Sequence, residues 1–129
     1  MRLTDALQYR LPLAGVVSIL HRASGAILFV LLPFIVWMFD TSVTSEISYS
    51  RFTSAFVAGI GFFPAWLVKL AVLALIWAFL HHLIAGLRHL WMDATHSVSK
   101  EFGRQSAVVT LASSVLLTLI LGAKLFGLY

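Results

Sequence analysis

Residues 64–93 read PAWLVKLAVLALIWAFLHHLIAGLRHLWMD. The run from Leu70 to Leu80 is wholly apolar, and Lys69 is the one Lys, Arg, Asp or Glu between Pro64 and Leu87. A bilayer core of about 30 Å takes roughly 20 apolar residues as helix. This stretch is long enough to cross one. Pro64 suits its start, because proline lacks the donor that a first helical turn leaves unused. Two further stretches qualify, one from about Pro12 to Phe39 and one from about Ala107 to Phe126. The expected fold is all-α, an integral membrane bundle of three transmembrane helices (about 12–39, 64–90 and 107–126) in one membrane-anchor domain over residues 1–129.

Composition agrees. Of 129 residues, 60% are hydrophobic and 11% charged, against about 25% charged in a soluble domain. There is no cysteine, which removes disulfides, cysteine-bound zinc, protein-bound iron–sulfur clusters and covalent c-type haem. The pI is near 10.0, but the nine Lys and Arg are scattered at helix ends and form no stripe. A nucleic-acid partner is therefore not expected. Ala23–Phe39 imitates the apolar part of a signal peptide. Asp5 and Arg22 precede it, no Ala-x-Ala site follows, and two more spans exist, so it reads as a retained helix.

Asp40–Phe63 carries Thr41-Ser42, Thr44-Ser45, Glu46 and Ser48, with Gly59 and Gly61 before Pro64. It reads as a polar loop with room for a short surface helix. Met92–Ser106 is a second polar loop. With three spans, the N-terminal tail and this second loop share a side. Arg2, Arg10, Arg22, Arg88, Lys100 and Arg104 fall on that side, and Arg51, Lys69 and Lys124 on the other. The positive-inside rule then puts the N-terminus on the cytoplasmic or matrix side. Lys69 and Lys124 sit near enough to helix ends to snorkel.

Ionisable residues inside membrane helices are costly and point to function. The first such cluster is Ser18-Ile19-Leu20-His21-Arg22-Ala23-Ser24-Gly25. In a Pro12–Phe39 helix about 42 Å long, His21 and Arg22 lie about 14 Å from the inner end. Ser18 and Arg22 are four apart and share a face, where together they suit an acceptor such as a quinone carbonyl. The competing explanation is a basic pair anchoring a long helix at the interface.

The second cluster runs from His81 to Asp93. His82, Gly86, His89 and Asp93 follow i, i+4, i+7, i+11, one stripe of a helix. Gly86 leaves a notch for a flat cofactor or a neighbouring helix. A neutral imidazole is the usual axial ligand of haem b, and the propionates need cations or donors, for which His21, Arg22, Arg88 and His89 lie at a suitable depth. The competing explanation makes His82 a packed histidine bonded to another helix. His81, about 100° away around the helix, is the rival ligand. Helix 3 has no histidine or methionine, so a second axial ligand comes either from His21 or from another subunit. His96 belongs to the inner loop and reads as solvated. Trp37, Phe39, Phe62, Phe63, Trp66, Trp91 and Tyr129 form an aromatic belt. Trp77 is deeper, where it suits a haem or lipid contact. Ser113 and Ser114 read as small packing residues.

These two clusters carry a resemblance. Ser18-x-x-His21-Arg22-x-Ser24-Gly25 resembles the S-x-x-H-R-x-[ST]-G element of helix 1 in the succinate dehydrogenase cytochrome b large membrane-anchor subunits. His82-x-x-x-Gly86-Leu87-Arg88-His89-x-x-x-Asp93 resembles that family's helix 2 element, H-x-x-x-G-[LI]-R-H-x-x-x-D. The resemblance covers nearly the whole chain. It implies His82 as axial haem b ligand, Ser18 and Arg22 at the quinone, His21 and Arg22 near the haem propionates, and Arg88, His89 and Asp93 near the haem edge and the soluble subunits. It also implies a second axial ligand on a small hydrophobic anchor subunit, an iron–sulfur subunit and a flavoprotein subunit. The chain would then be a non-catalytic subunit serving electron transfer to quinone, in a bacterial inner membrane rather than a mitochondrial one. Two departures stand out. The start Met1-Arg2-Leu3-Thr4 lacks an Arg-Pro pair common upstream of helix 1, and Thr95 stands where a small residue is frequent. The alternatives are a fumarate reductase anchor, a haem-free structural membrane protein, or a self-contained cytochrome using His21 and His82.

Overall fold

The computed structural model describes residues 12–96 and 99–129. Arg2, Asp5, Arg10 and the Met1-Arg2-Leu3-Thr4 start lie outside the described residues. Within them the chain forms α1 (Leu13–Val30), α2 (Leu32–Val43), α3 (Glu46–Ala58), α4 (Ala65–Thr95) and α5 (Lys100–Leu125). Three of these, α1, α4 and α5, are long and apolar enough to cross a membrane.

The first expected span, Pro12–Phe39, is interrupted. Leu31 takes φ −91° and ψ 8°, ending α1 and opening α2, and Pro33 sits in the first turn of α2. Proline has no backbone N–H, and its ring clashes with the carbonyl four residues back. The chain therefore bends here and resumes as helix to Val43.

The segment expected as a polar loop with room for a short surface helix does hold a helix, α3, which takes up more than half of it. Ser45 and Ser48 start it with reciprocal bonds: the Ser48 N–H donates to Ser45 Oγ at 3.1 Å, and the Ser45 N–H to Ser48 Oγ at 2.9 Å. Such a pair satisfies two donors that a helix start leaves open. Gly59 ends α3 at φ 85°, a conformation that side chains with a Cβ avoid. A tight turn follows, closed by the Ile60 N–H on the Phe63 carbonyl and the reverse bond, both 2.8 Å. It delivers Pro64 to the start of α4.

Both ends of the second loop are helical too. The α4 helix continues to Thr95 and is closed by His96 at φ 54°, ψ 31°, the left-handed cap that ends many helices. The α5 helix begins at Lys100, where Ser99 Oγ accepts from the Phe102 N–H at 3.2 Å. Helix therefore outruns apolar sequence at both ends of this loop, where capping and polar faces sustain it.

Contacts between α4 and α5 run in opposite order along the two helices: Leu73 against Gly122, His81 against Ser114, Arg88 against Gly103. Those between α1 and α4 do the same, with Ser24 at His82 and His21 at Gly86. The bundle is up-down-up, so the start of α1, the end of α4 and the start of α5 share one end. The inward stripe of α5 is small: Gly103, Ala107, Thr110, Ser114, Thr118 and Gly122. Small residues let backbones approach, which drives packing when no water is expelled. Its hydroxyls are satisfied locally, Thr110 donating to the Ser106 carbonyl at 2.8 Å and Thr118 to the Ser114 carbonyl at 2.6 Å. At the other end Lys69 Nζ lies 5.6 Å from the Phe126 ring and Lys124 Nζ 5.4 Å from the Tyr129 ring, consistent with cations reaching toward an interface.

Large apolar side chains such as Phe29, Phe79, Leu83, Leu87 and Leu119 face outward. Only 11% to 28% of each span's apolar window is buried within the chain. Lipid or another hydrophobic chain must cover the remainder.

Candidate functional site

The α4 helix turns its two adjacent histidines to different surroundings. His81 is fully buried at the centre of the bundle. Its Nδ1 lies 3.4 Å from Ser114 Oγ on α5, and its ring stacks on Trp77 at 5.2 Å. Trp77 thus contacts His81, where the sequence suggested a haem or lipid contact. A macrocycle cannot reach this ring without parting the helices.

His82 points to the seam between α1 and α4 and is half-buried. Its Nδ1 lies 3.1 Å from the His21 carbonyl and 3.2 Å from Ser24 Oγ. Ser24 is fully buried, and its hydroxyl donates to the same His21 carbonyl at 2.8 Å. A carbonyl only accepts, and the one hydroxyl proton of Ser24 is already used. The network therefore assigns the imidazole proton to Nδ1 and leaves the lone pair on Nε2. Metal-binding histidines are commonly held in this way, one ring nitrogen donating to a carbonyl and the other facing the metal.

The ring also needs room. A Cβ on Gly25 would stand 3.0 Å from His82 Cε1 and 3.3 Å from Nδ1. Gly25 therefore lets the imidazole edge lie against the α1 backbone. One turn of α4 further on, a Cβ on Gly86 would meet only His21 Nε2, at 3.8 Å. The resulting cleft has a volume of about 400 Å³ and is lined by His21, His82, Leu83, Gly86, Leu87 and His89, among others. It opens outward, away from α5. His82 lies 13 residues before Thr95, about 20 Å from that end of the helix at 1.5 Å per residue.

These residues fit a planar, apolar cofactor with one ligand from this chain: a free imidazole nitrogen, a glycine notch and leucine walls. His21 does not complete the coordination in this arrangement. Its ring is stacked on His82, with centroids 4.2 Å apart and planes 19° from parallel. Imidazole lone pairs lie in the ring plane, so two face-to-face rings cannot ligate one iron placed between them. Among the described residues no group of three His, Cys, Asp or Glu side chains forms a bare metal site.

The remaining sequence-derived candidates divide by face. His89 lines the same cleft as His82, is exposed, and has its Nε2 3.5 Å from the Asp93 carboxylate one turn on. Ser18 and Arg22 are exposed on α1. Arg88 is turned to α5, where Nε donates to Ser106 Oγ at 2.9 Å and Nη2 to the Gly103 carbonyl at 3.2 Å. His96 is exposed, and Thr95 Oγ1 donates to the Trp91 carbonyl at 2.7 Å. Sequence reasoning gave no role to Ser24, Gly25 or the His21 carbonyl. The signal was present in the Ser24-Gly25 pair, a buried donor beside a notch, three residues after His21.

Comparison with known proteins follows this geometry. Residues 3–121 match the family described as succinate dehydrogenase/fumarate reductase transmembrane subunit. The succinate dehydrogenase cytochrome b556 subunit of Paracoccus denitrificans is 34% identical over 112 residues, covering 87% of this chain and 81% of that one. The subunit of the same name from Coxiella burnetii is 30% identical over 118 residues, covering 92% and 90%. That of Rickettsia felis is 26% identical over 113 residues, covering 88% and 82%.

Proposed function

We propose, from the premise that this chain belongs to the succinate dehydrogenase/fumarate reductase transmembrane subunit family, that it anchors a succinate:quinone oxidoreductase and supplies one axial ligand, His82, to a haem b. The family membership makes it a membrane anchor of the cytochrome b type.

Haem b, when bound, supplies one-electron transfer next to a quinone site. The chain's own contribution is binding and orientation. His82 offers Nε2, with its tautomer held by the His21 carbonyl. Gly25 leaves space for the imidazole edge, Gly86 opens the cleft one turn further on, and Leu83 and Leu87 line its wall. His21, Arg22 and His89 provide donors for propionates near the inner end. A like role for Arg88 requires its guanidinium to leave two good acceptors on α5. Ser18 and Arg22, one turn apart on the exposed side of α1, are the quinone-binding pair. The second axial ligand comes from a small hydrophobic anchor subunit, which also covers the outward leucine face. An iron–sulfur subunit and a flavoprotein subunit dock on the inner side, where the starts of α1 and α5 and the end of α4 meet. The membrane is the bacterial inner membrane, with the N-terminus on the cytoplasmic side. The relatives named above are succinate dehydrogenase subunits, which favours succinate oxidation over the reverse reaction.

The observation that carries this reading is the bond from His82 Nδ1 to the His21 carbonyl, which leaves Nε2 the available nitrogen beside the cleft. The test is His82→Leu in the assembled complex. The b-type band of the reduced-minus-oxidised spectrum should disappear. An unchanged band would move the ligand elsewhere, and a wild-type complex with no such band would leave a haem-free scaffold.

A further inference from the structure

We propose that Ser24 is a positioning residue for the His82 imidazole: its buried hydroxyl sets the rotation of the ring that presents Nε2. This rests on the reading of His82 as axial ligand.

Nδ1 of His82 lies 3.2 Å from Ser24 Oγ and 3.1 Å from the His21 carbonyl. The N–H therefore points between two acceptors on α1. One acceptor would fix the tautomer alone, since the carbonyl cannot donate. It would leave the ring free to swing about the single bond. The second acceptor lies beside the first and narrows that swing. Ser24 Oγ is itself fixed, because its proton is given to the His21 carbonyl at 2.8 Å and its side chain has no exposure. The three atoms form a closed triangle, with Gly25 as the floor on which the ring edge rests. The hydroxyl also loads electron density onto the N–H, which makes Nε2 a stronger donor toward a metal. Ser24 touches neither the cleft nor any group expected in it, so its action passes through His82.

The alternative is plain packing. Ser24 would then be a small residue that lets α1 and α4 approach, as Ala107 does between its neighbours. The two accounts differ in what substitution by alanine does. Alanine packs as well as serine in a close helix pair, so packing predicts no change at the haem.

The experiment uses the complete complex with Ser24→Ala, Ser24→Cys and Ser24→Thr, and with His82→Leu as reference. The readouts are the ferric low-spin electron paramagnetic resonance g-values and the haem retained per complex after detergent washing. Loss of an outer-shell partner weakens metal binding about 10- to 100-fold. The His21 carbonyl remains, so about tenfold faster haem loss and shifted g-values are expected for Ser24→Ala, with Ser24→Cys on the same side. Ser24→Thr, which keeps the hydroxyl, should restore both. Wild-type g-values and retention in Ser24→Ala would overturn the proposal, and so would a Ser24→Thr complex as perturbed as the alanine one. If His82→Leu abolishes the spectrum while Ser24→Ala leaves it intact, only the Ser24 assignment falls. If His82→Leu also leaves it intact, the ligand reading falls with it.

Discussion

Gly25→Ala adds one carbon where the bundle has no space for it. The new Cβ would stand 3.0 Å from His82 Cε1 and 3.3 Å from Nδ1. Relaxed carbon contacts are about 3.5–4.0 Å, so the ring must withdraw from α1 by about 0.5 Å. The Nδ1 distances to the His21 carbonyl and Ser24 Oγ, now 3.1 and 3.2 Å, would open to about 3.6 and 3.7 Å, beyond a hydrogen bond. A lost bond of this kind is worth about 0.5–1.5 kcal/mol. At an RT of about 0.59 kcal/mol that is a 2- to 13-fold loss in the population of correctly set imidazole. The helix itself should not suffer, since alanine favours helix over glycine by about 0.8–1.0 kcal/mol. The substitution should therefore separate stability from cofactor binding. The complex would assemble with normal thermal stability while its haem content fell and its b-type band shifted. The assay is a reduced-minus-oxidised spectrum against protein concentration, beside a thermal melt of the same preparation. Full haem content with an unshifted band would refute the close approach of His82 to the α1 backbone as a determinant of the site.

Three other substitutions probe the faces of the same helices. Arg88→Ala removes donors to Ser106 Oγ and the Gly103 carbonyl; because the side chain is only half-buried, a cost of about 1.5–2 kcal/mol is expected, at the lower part of the range for charged hydrogen bonds. A thermal melt should fall while the b-type band persists; a lost band with an unaltered melt would instead put Arg88 at the haem edge. Arg22→Leu and Ser18→Ala should lower succinate:quinone activity at least about tenfold for the arginine, a charged donor, and leave succinate oxidation with an artificial dye near normal. Equal loss of both activities would count against a quinone role.

Much of the architecture is legible along the chain because lipid imposes strict rules. A span needs length, low charge and a satisfied backbone, and all three can be counted. The same counting finds His82, Gly86, His89 and Asp93 on one stripe, since helical periodicity needs no tertiary information. The break at Leu31 was also legible. Pro33 stands inside the first expected span, six residues before its end, and proline kinks or breaks a helix where it falls in the interior; apolarity alone hid it. A short helix had room in the first polar segment, where Glu46–Ala58 forms one, but the helicity of Lys100–Ser106 was obscured for the opposite reason, because polar residues were read as loop although Ser99 is a sound helix cap.

The chain by itself determined that this protein lives in a membrane as three spans, and that a histidine stripe with a glycine notch lies on the second. Periodicity separates His81 from His82 by about 100° but does not say which of them meets a neighbouring helix. Only the packing of α1 and α5 against α4 decided that His81 is enclosed and His82 faces the seam. Only that packing brought Ser24 and the His21 carbonyl, 58 and 61 residues away, onto one ring nitrogen, and turned Arg88 toward α5. The physical reason is range. Helix formation and membrane insertion follow from local composition, whereas the proton on an imidazole is assigned by whatever acceptor another helix places beside it.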